Sequence, residues 1–196
     1  MNSRDIILGK VQAEKPKGAY PLPSLPAFPL GDHGDIVGLF LRNLESMGGC
    51  GYREGERDIG SIVQAHKAKV VASAVPEYAG NCDLGAIAHP RMLADVDVAI
   101  VRARFGVAET GSVLLTNQEL VVNSVAYLAQ HLVILLDPTE IVLTLQDAYR
   151  RSEFHLQRYA VFHSGPSATA DIEGVLIHGA QGVRSLAVLM VKETPV

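Results

Sequence analysis

Four short runs of bare aliphatic residues constrain this chain most: Lys69–Ala74 (KVVASA), Val96–Val101 (VDVAIV), His131–Leu136 (HLVILL) and the run from Leu186 to Val191 (LAVLMV). A strand with one wet face alternates apolar and polar residues, whereas a strand buried on both faces does not. Between these runs the spacing is helical. Ile36, Val37, Phe40, Leu41, Leu44 and Met47 share one face of a helix that Asp35 can cap and that Gly48 and Gly49 end. Ile59, Ile62 and Val63 read as a second short helix. Asp137-Pro138-Thr139-Glu140 reads as a helix start, with Ile141, Val142, Leu145 and Tyr149 as its buried stripe. Further strands are expected near Cys50–Arg53, Ser112–Thr116, Tyr159–His163 and Gly174–His178. Strands and helices in alternation predict an α/β fold with a mainly parallel sheet covered on both faces.

The chain has 196 residues, enough for one domain with a sizeable core, and 48% of them are apolar. Residues 16–29 hold a dense run of prolines, which fix φ and lack an N–H. Residues 1–30 are therefore expected to be a short amphipathic helix, with Ile6, Ile7, Leu8 and Val11, and an extended arm. Residues 31–196 are expected to be a single α/β domain. The net charge of −4 comes without a basic cluster, so no nucleic-acid partner is expected. The apolar runs are too short for a membrane span and the N-terminus shows no leader pattern, which points to the cytoplasm. Cys50 and Cys82 share no close spacing, and the histidines form no HxxxH or HxE pair. No metal site is expected within this chain.

Three polar segments interrupt the aliphatic pattern at strand ends, and in open α/β sheets ligands favour the carboxyl ends of strands. In the first, Phe105–Leu115, Gly111 permits close approach and Thr110 adds a hydroxyl. Glu109 lies among Val107, Ala108, Val113 and Leu114. A carboxylate so placed is paired, neutral or functional, or else binds a backbone N–H at a turn. In the second, Ser164–Glu173 (SGPSATADIE), Gly165 and Pro166 force a turn, and Ser167 or Thr169 could cap a helical turn whose free N–H groups bind an anion. Asp171 adds a second acid there. In the third, Gly179 and Gly182 make a flexible loop and Arg184 offers a planar fork for a carboxylate or phosphate. Glu109 and Asp171 are the candidate catalytic residues. Thr110, Gly111, Ser164, Gly165, Ser167, Thr169, Gly179, Gly182 and Arg184 are the candidate substrate-binding residues.

Taken together, Ala108-Glu109-Thr110-Gly111-Ser112, Ser164-Gly165-Pro166-Ser167 with Thr169-Ala170-Asp171-Ile172-Glu173, and Gly179 with Gly182-Val183-Arg184 resemble the lactate-utilisation (LUD) domain family, and within it the lactate-utilisation protein C type. The resemblance runs from about Gly31 to Val191. Many members carry His-Gly-Pro in the last loop, where this chain has Gln181-Gly182-Val183. The resemblance implies a three-layer α/β/α fold like that of the ribose-phosphate isomerases and CoA transferases. It also implies a role in oxidising L-lactate to pyruvate beside iron–sulfur partner subunits. The clusters would then sit in those partners, since two cysteines cannot ligate one.

Three functions compete on the residues alone. In the first, the chain is a subunit of a lactate-oxidising iron–sulfur complex. Arg184 and the segment from Ser164 to Thr169 hold a carboxylate there, and Glu109 or Asp171 handles a proton. In the second, it is a stand-alone enzyme on a phosphorylated, CoA-linked or folate-linked small molecule, with Glu109 as base or nucleophile. In the third, it is a non-catalytic binding or assembly module. A fold by itself cannot choose among them.

Overall fold

Each bare aliphatic run forms a strand of one parallel sheet, because only a sheet covered on both sides buries side chains of both parities. In the computed structural model the strands in chain order are β1 (Cys50–Tyr52), β2 (Val71–Ser73), β3 (Val98–Arg102), β4 (Phe105–Val107), β5 (Ser112–Thr116) and β6 (His131–Leu136). They continue with β7 (Ile141–Val142), β8 (Ala160–His163), β9 (Ala168–Ala170), β10 (Leu176–His178) and β11 (Ser185–Met190). The helices are α1 (Ser3–Glu14), α2 (Ile36–Ser46), α3 (Ile59–Ala65), α4 (Asn117–Leu120), α5 (Val125–Leu128), α6 (Leu145–Arg150) and α7 (Ser152–His155). The described residues are 2–21, 23, 34–170, 174–179 and 181–192. They belong to two units, Met1–Leu30 and Gly31–Val196. In the first unit α1 starts at Asn2, whose side chain accepts the Asp5 N–H, and its Ile6, Ile7, Leu8 and Val11 are exposed. The proline arm beyond residue 23 lies outside the described residues.

The central sheet has the order β1-β11-β6-β3-β2, every neighbouring pair parallel. The parity of its strands makes two cores. Ala99, Val101, Leu132, Ile134 and Val188 face α2, with Phe40 and Leu44, and the short helices α4 and α5. Val98, Ile100, Val133, Leu135 and Leu189 face α3, with Ile62 and Val63. Each fully buried aliphatic side chain here stabilises the fold by about 1.5–3 kcal/mol. The result is an α/β fold with a mainly parallel sheet flanked by helices, consistent with a three-layer α/β/α arrangement.

A second sheet, β7-β4-β5-β8, shares one side of this arrangement. Its β4–β5 and β5–β8 pairs are antiparallel. Val113 and Leu115 point into the α2 core, while Phe105, Val107 and Leu114 point away under α6 and α7. This sheet corrects one expectation. Asp137-Pro138-Thr139-Glu140 closes only a single 3-10 turn, with the Thr139 N–H donating to Asp137 at 2.8 Å. Ile141 and Val142 then pair with Gly106 and Val107 as β7, which sends them to opposite cores. The helix begins at Thr144, whose side chain caps α6, and Tyr149 is exposed. Local capping chemistry was present at Asp137, but pairing with β4 claimed the backbone that a helix needed.

Candidate functional site

The site is built around the carboxyl end of α2, where the helix turns through Gly48 and Gly49 into β1. Asn43 Nδ2 donates to the carbonyls of Ala108 (2.7 Å) and Glu109 (3.1 Å), which ties the turn between β4 and β5 to the helix. Gly111 sits directly beneath the helix backbone at φ +61°. A Cβ there would lie 2.1 Å from the Leu44 nitrogen, so no side chain fits. Gly165 does the same at the next layer: with φ +78°, its Cβ would lie 2.1 Å from the Met47 carbonyl oxygen. Ser164 Oγ donates to the Thr110 carbonyl (3.0 Å), joining the two turns, and Ser112 Oγ bonds Thr110 Oγ1 at 2.7 Å.

Ser167 joins the third segment. Its N–H donates to Val183 (3.0 Å), its carbonyl accepts the Gly179 N–H (2.7 Å), and its Oγ donates to Gln181 (2.8 Å). The three polar segments therefore do meet. Between the second and third segments, with none of the first in its lining, lies a cavity of about 340 Å³ lined by Tyr127, His163, Ser164, Gly165, Ser167 and Gly182, among others. Its described lining holds no Lys, Arg, Asp or Glu.

The cavity lies at the opposite edge of the parallel sheet from the one expected. Tyr127 precedes β6, and Gly182 and Val183 precede β11, so these are amino ends of central strands. The lining residues Ser164 to Ser167 do follow a strand, but it is β8 of the second sheet. A second difference concerns the Ser167 to Thr169 segment. It does not cap a helical turn; Ala168–Ala170 is extended and pairs antiparallel with β10, Thr169 opposite Ile177. The Ser167 N–H is committed to Val183, so it is not a free donor for an anion.

Of the other sequence candidates, Glu109 is exposed at the tip of its turn. Its carboxylate accepts the Leu145 N–H at 2.9 Å, which supplements the cap of α6. Its apolar neighbours bury into two separate cores and leave the tip at the surface, so the sequence proximity to Val107 and Val113 did not mean burial. Gly179 packs against Arg184, its hypothetical Cβ 2.9 Å from the Arg184 Cα. The Arg184 side chain is exposed and, like Glu109, Thr169 and Gly179, is not among the cavity lining. Asp171 lies outside the described residues.

Two lining residues escaped the sequence reading, Tyr127 and His163. Their rings are 5.0 Å apart, and the Tyr127 hydroxyl makes a short hydrogen bond with the Tyr159 hydroxyl. Burial, and then that bond, push the Tyr127 hydroxyl above its ordinary value. His163 Nε2 is buried without a hydrogen-bond partner among the described residues, an arrangement that costs about 1–3 kcal/mol. Burial alone pushes the imidazole down to about 4, so it is neutral at physiological pH. No spacing motif marks these residues; only the topology, which lays β8 beside β5 and α5 ahead of β6, brings them together. Among the described residues no group of three or more His, Cys, Asp or Glu is placed to hold a metal ion. None of the described helices is long and apolar enough to cross a membrane.

Comparison with known proteins places this arrangement. The family model described as the LUD domain matches residues 49–191. Among solved structures, the crystal structure of a DUF162 family protein from Deinococcus radiodurans is similar in fold. It has a TM-score of 0.62 at 16% identity, covering 83% of this chain and 99% of that one. No curated protein gives a significant match.

Proposed function

The chain belongs to the LUD domain family, and on that premise we propose that it is a cytoplasmic subunit supporting oxidation of L-lactate to pyruvate beside iron–sulfur partner proteins. The family carries a role related to lactate utilisation. The observation that favours a small hydroxy acid is the uncharged polar lining of the cavity. A phosphate group brings two charges and would find no counter-charge among the described lining residues, which is costly in a partly dry site. A hydroxy acid brings one charge and one hydroxyl. The hydroxyl hydrogens of Ser164 and Ser167 are committed to backbone carbonyls, so their oxygens face a ligand as acceptors. They suit a substrate hydroxyl. With Tyr159 as donor in the tyrosine pair, the proton of Tyr127 is left to donate to a carboxylate. Neutral His163, which burial keeps from charging, can accept a hydrogen bond from the substrate hydroxyl and orient it.

Oxidation to the ketone releases the hydroxyl proton and breaks the Cα–H bond, whose hydrogen leaves with two electrons for an acceptor carried by the partner proteins, since the residues of this chain do not fit an iron–sulfur cluster. Cluster ligation takes four ligands, in the common case four thiolates, and the chain has two cysteines. The proposal therefore assigns substrate binding to this chain and the electron carriers to its partners. Thermal unfolding with L-lactate and with pyruvate tests it. A ligand at about 100 times its dissociation constant stabilises by about 2.7 kcal/mol, and Tyr127→Phe should lose most of that gain. If neither acid stabilises the chain and no iron–sulfur protein co-purifies with it, the proposal fails.

A further inference from the structure

On the α3 face of the sheet, a cleft of about 230 Å³ opens beside the first residues of β1 and β11. Its described lining includes Cys50, Tyr52, Arg57, His66 and Ser185, and no Asp or Glu. Arg57 is held in place rather than neutralised. Its Nη1 donates to the Tyr52 hydroxyl at 3.0 Å and its guanidinium lies 5.3 Å from the centre of the Tyr52 ring. Among the described residues it has no carboxylate partner. Behind His66, the ring of His131 stacks at 3.7 Å and 19°, and His131 Nδ1 bonds Ser185 Oγ at 2.8 Å.

We propose that this cleft binds a small anion of the phosphate type, held by Arg57, His66 and the Ser185 hydroxyl. Arg57 offers the remaining N–H groups of a planar fork, the arrangement that grips phosphate oxygens in pairs. The stacked imidazoles place two potential cations face to face at 3.7 Å, and an anion bound beside His66 would offset the repulsion that charging either ring meets. The charged groups around them are few. Arg57 faces His66, and Arg184, before β11, faces His131. Asp97, before β3, acts on His131 with the opposite sign. Its carboxylate accepts the N–H groups of Lys69 (2.7 Å) and Val70 (2.9 Å) and has the Lys69 charge nearby. Burial first, then the neighbouring positive charge, hold both histidines below their ordinary value. An anion in the cleft opposes the second effect and raises both histidines toward their ordinary value, so its binding is coupled to proton uptake and strengthens as pH falls toward the range in which they charge. This site does not rest on the lactate reading, because its residues lie on the other face of the sheet from Tyr127 and His163.

Histidine ring signals in NMR, followed during titration with inorganic phosphate and with glycerol 3-phosphate at constant ionic strength, test it. The signals of His66 and His131 should move and that of His163 should stay. Arg57→Ala, an exposed change, should weaken binding about tenfold, or about 1.4 kcal/mol. Tighter binding of the ester identifies a phosphorylated small molecule as the occupant, and tighter binding of phosphate identifies the free ion. Signals that ignore both anions, that respond equally to chloride, or that respond unchanged in Arg57→Ala overturn the proposal.

Discussion

On one face of the parallel sheet, the cavity of Tyr127, His163 and Ser167 is walled by hydroxyls and one imidazole. On the other face, the cleft of Arg57, His66 and Ser185 carries a guanidinium and backs onto a stacked imidazole pair. Both hollows lie at the amino edge of the same strands, and both contain histidines held in the neutral form. The causes differ. His163 is neutral because burial alone strips it of water, so charging it gains nothing from any neighbour. His66 and His131 are neutral partly because of positive neighbours, a cause that a bound anion removes. A depressed histidine is thus two different devices, a fixed neutral hydrogen-bonding group in one hollow and a proton-coupled counter-charge in the other.

The largest expected effect falls on the helix that the first hollow is built around. Gly111→Ala places a methyl 2.1 Å from the Leu44 nitrogen in a left-handed conformation, and should destabilise the fold by about 4 kcal/mol. Urea denaturation measures the loss. A cost under about 1 kcal/mol would mean that α2 is not seated as described.

Acid separates the two hollows next. A histidine whose folded value lies below its unfolded value binds its proton more readily in the unfolded chain, so stability falls as pH falls. For His163 the window runs from its ordinary 6.5 down to about 4, a loss on the order of 3 kcal/mol across it. His66 and His131 add to the loss in the same direction. Denaturation midpoints from neutral to acid pH should therefore slope downward. His163→Gln should flatten most of the slope, and phosphate should relieve only the part that belongs to the stacked pair. A slope unaffected by His163→Gln would remove the burial argument for that ring.

The smallest effect tests the tether. Asn43→Ala removes two hydrogen bonds to the turn of Ala108 and Glu109 and should cost about 1–2 kcal/mol. It should weaken lactate binding, through the slackened Thr110–Ser164 link, and leave phosphate binding at Arg57 intact. Equal weakening of both ligands would mean that the hollows are not separable.

The central sheet was legible because burial on both faces leaves a mark in composition that needs no partner to interpret. Val98 to Val101 and Leu132 to Leu136 are apolar at every parity, and no wet strand is. The Asp35 cap of α2 was legible because its bond is local, three residues long (2.8 Å to the Gly38 N–H). The second sheet was harder, because β7 is two residues and exists only through its pairing with β4. Strand β10 was legible within Gly174–His178, whereas its partner β9 was hidden in a segment of serines and threonines that serve turns and caps equally well. At the site, the sequence located the segments and not their divisions of labour. Ser164, Gly165, Ser167 and Gly182 reach the cavity, while Glu109, Thr169, Gly179 and Arg184 do not line it. Tyr127 and His163 stand 36 positions apart by number (163 − 127), and nothing short of the fold announces that their rings meet.

Gly111 and Gly165 are held by steric fit against the main chain of α2 rather than by any ligand. The segments through which the chain is recognised are therefore in part a mould for a helix end. A mould can be reused. A designer who wished to change what the cavity accepts would keep both glycines and Asn43, and rewrite Tyr127, His163 and Gln181 on the casting they produce.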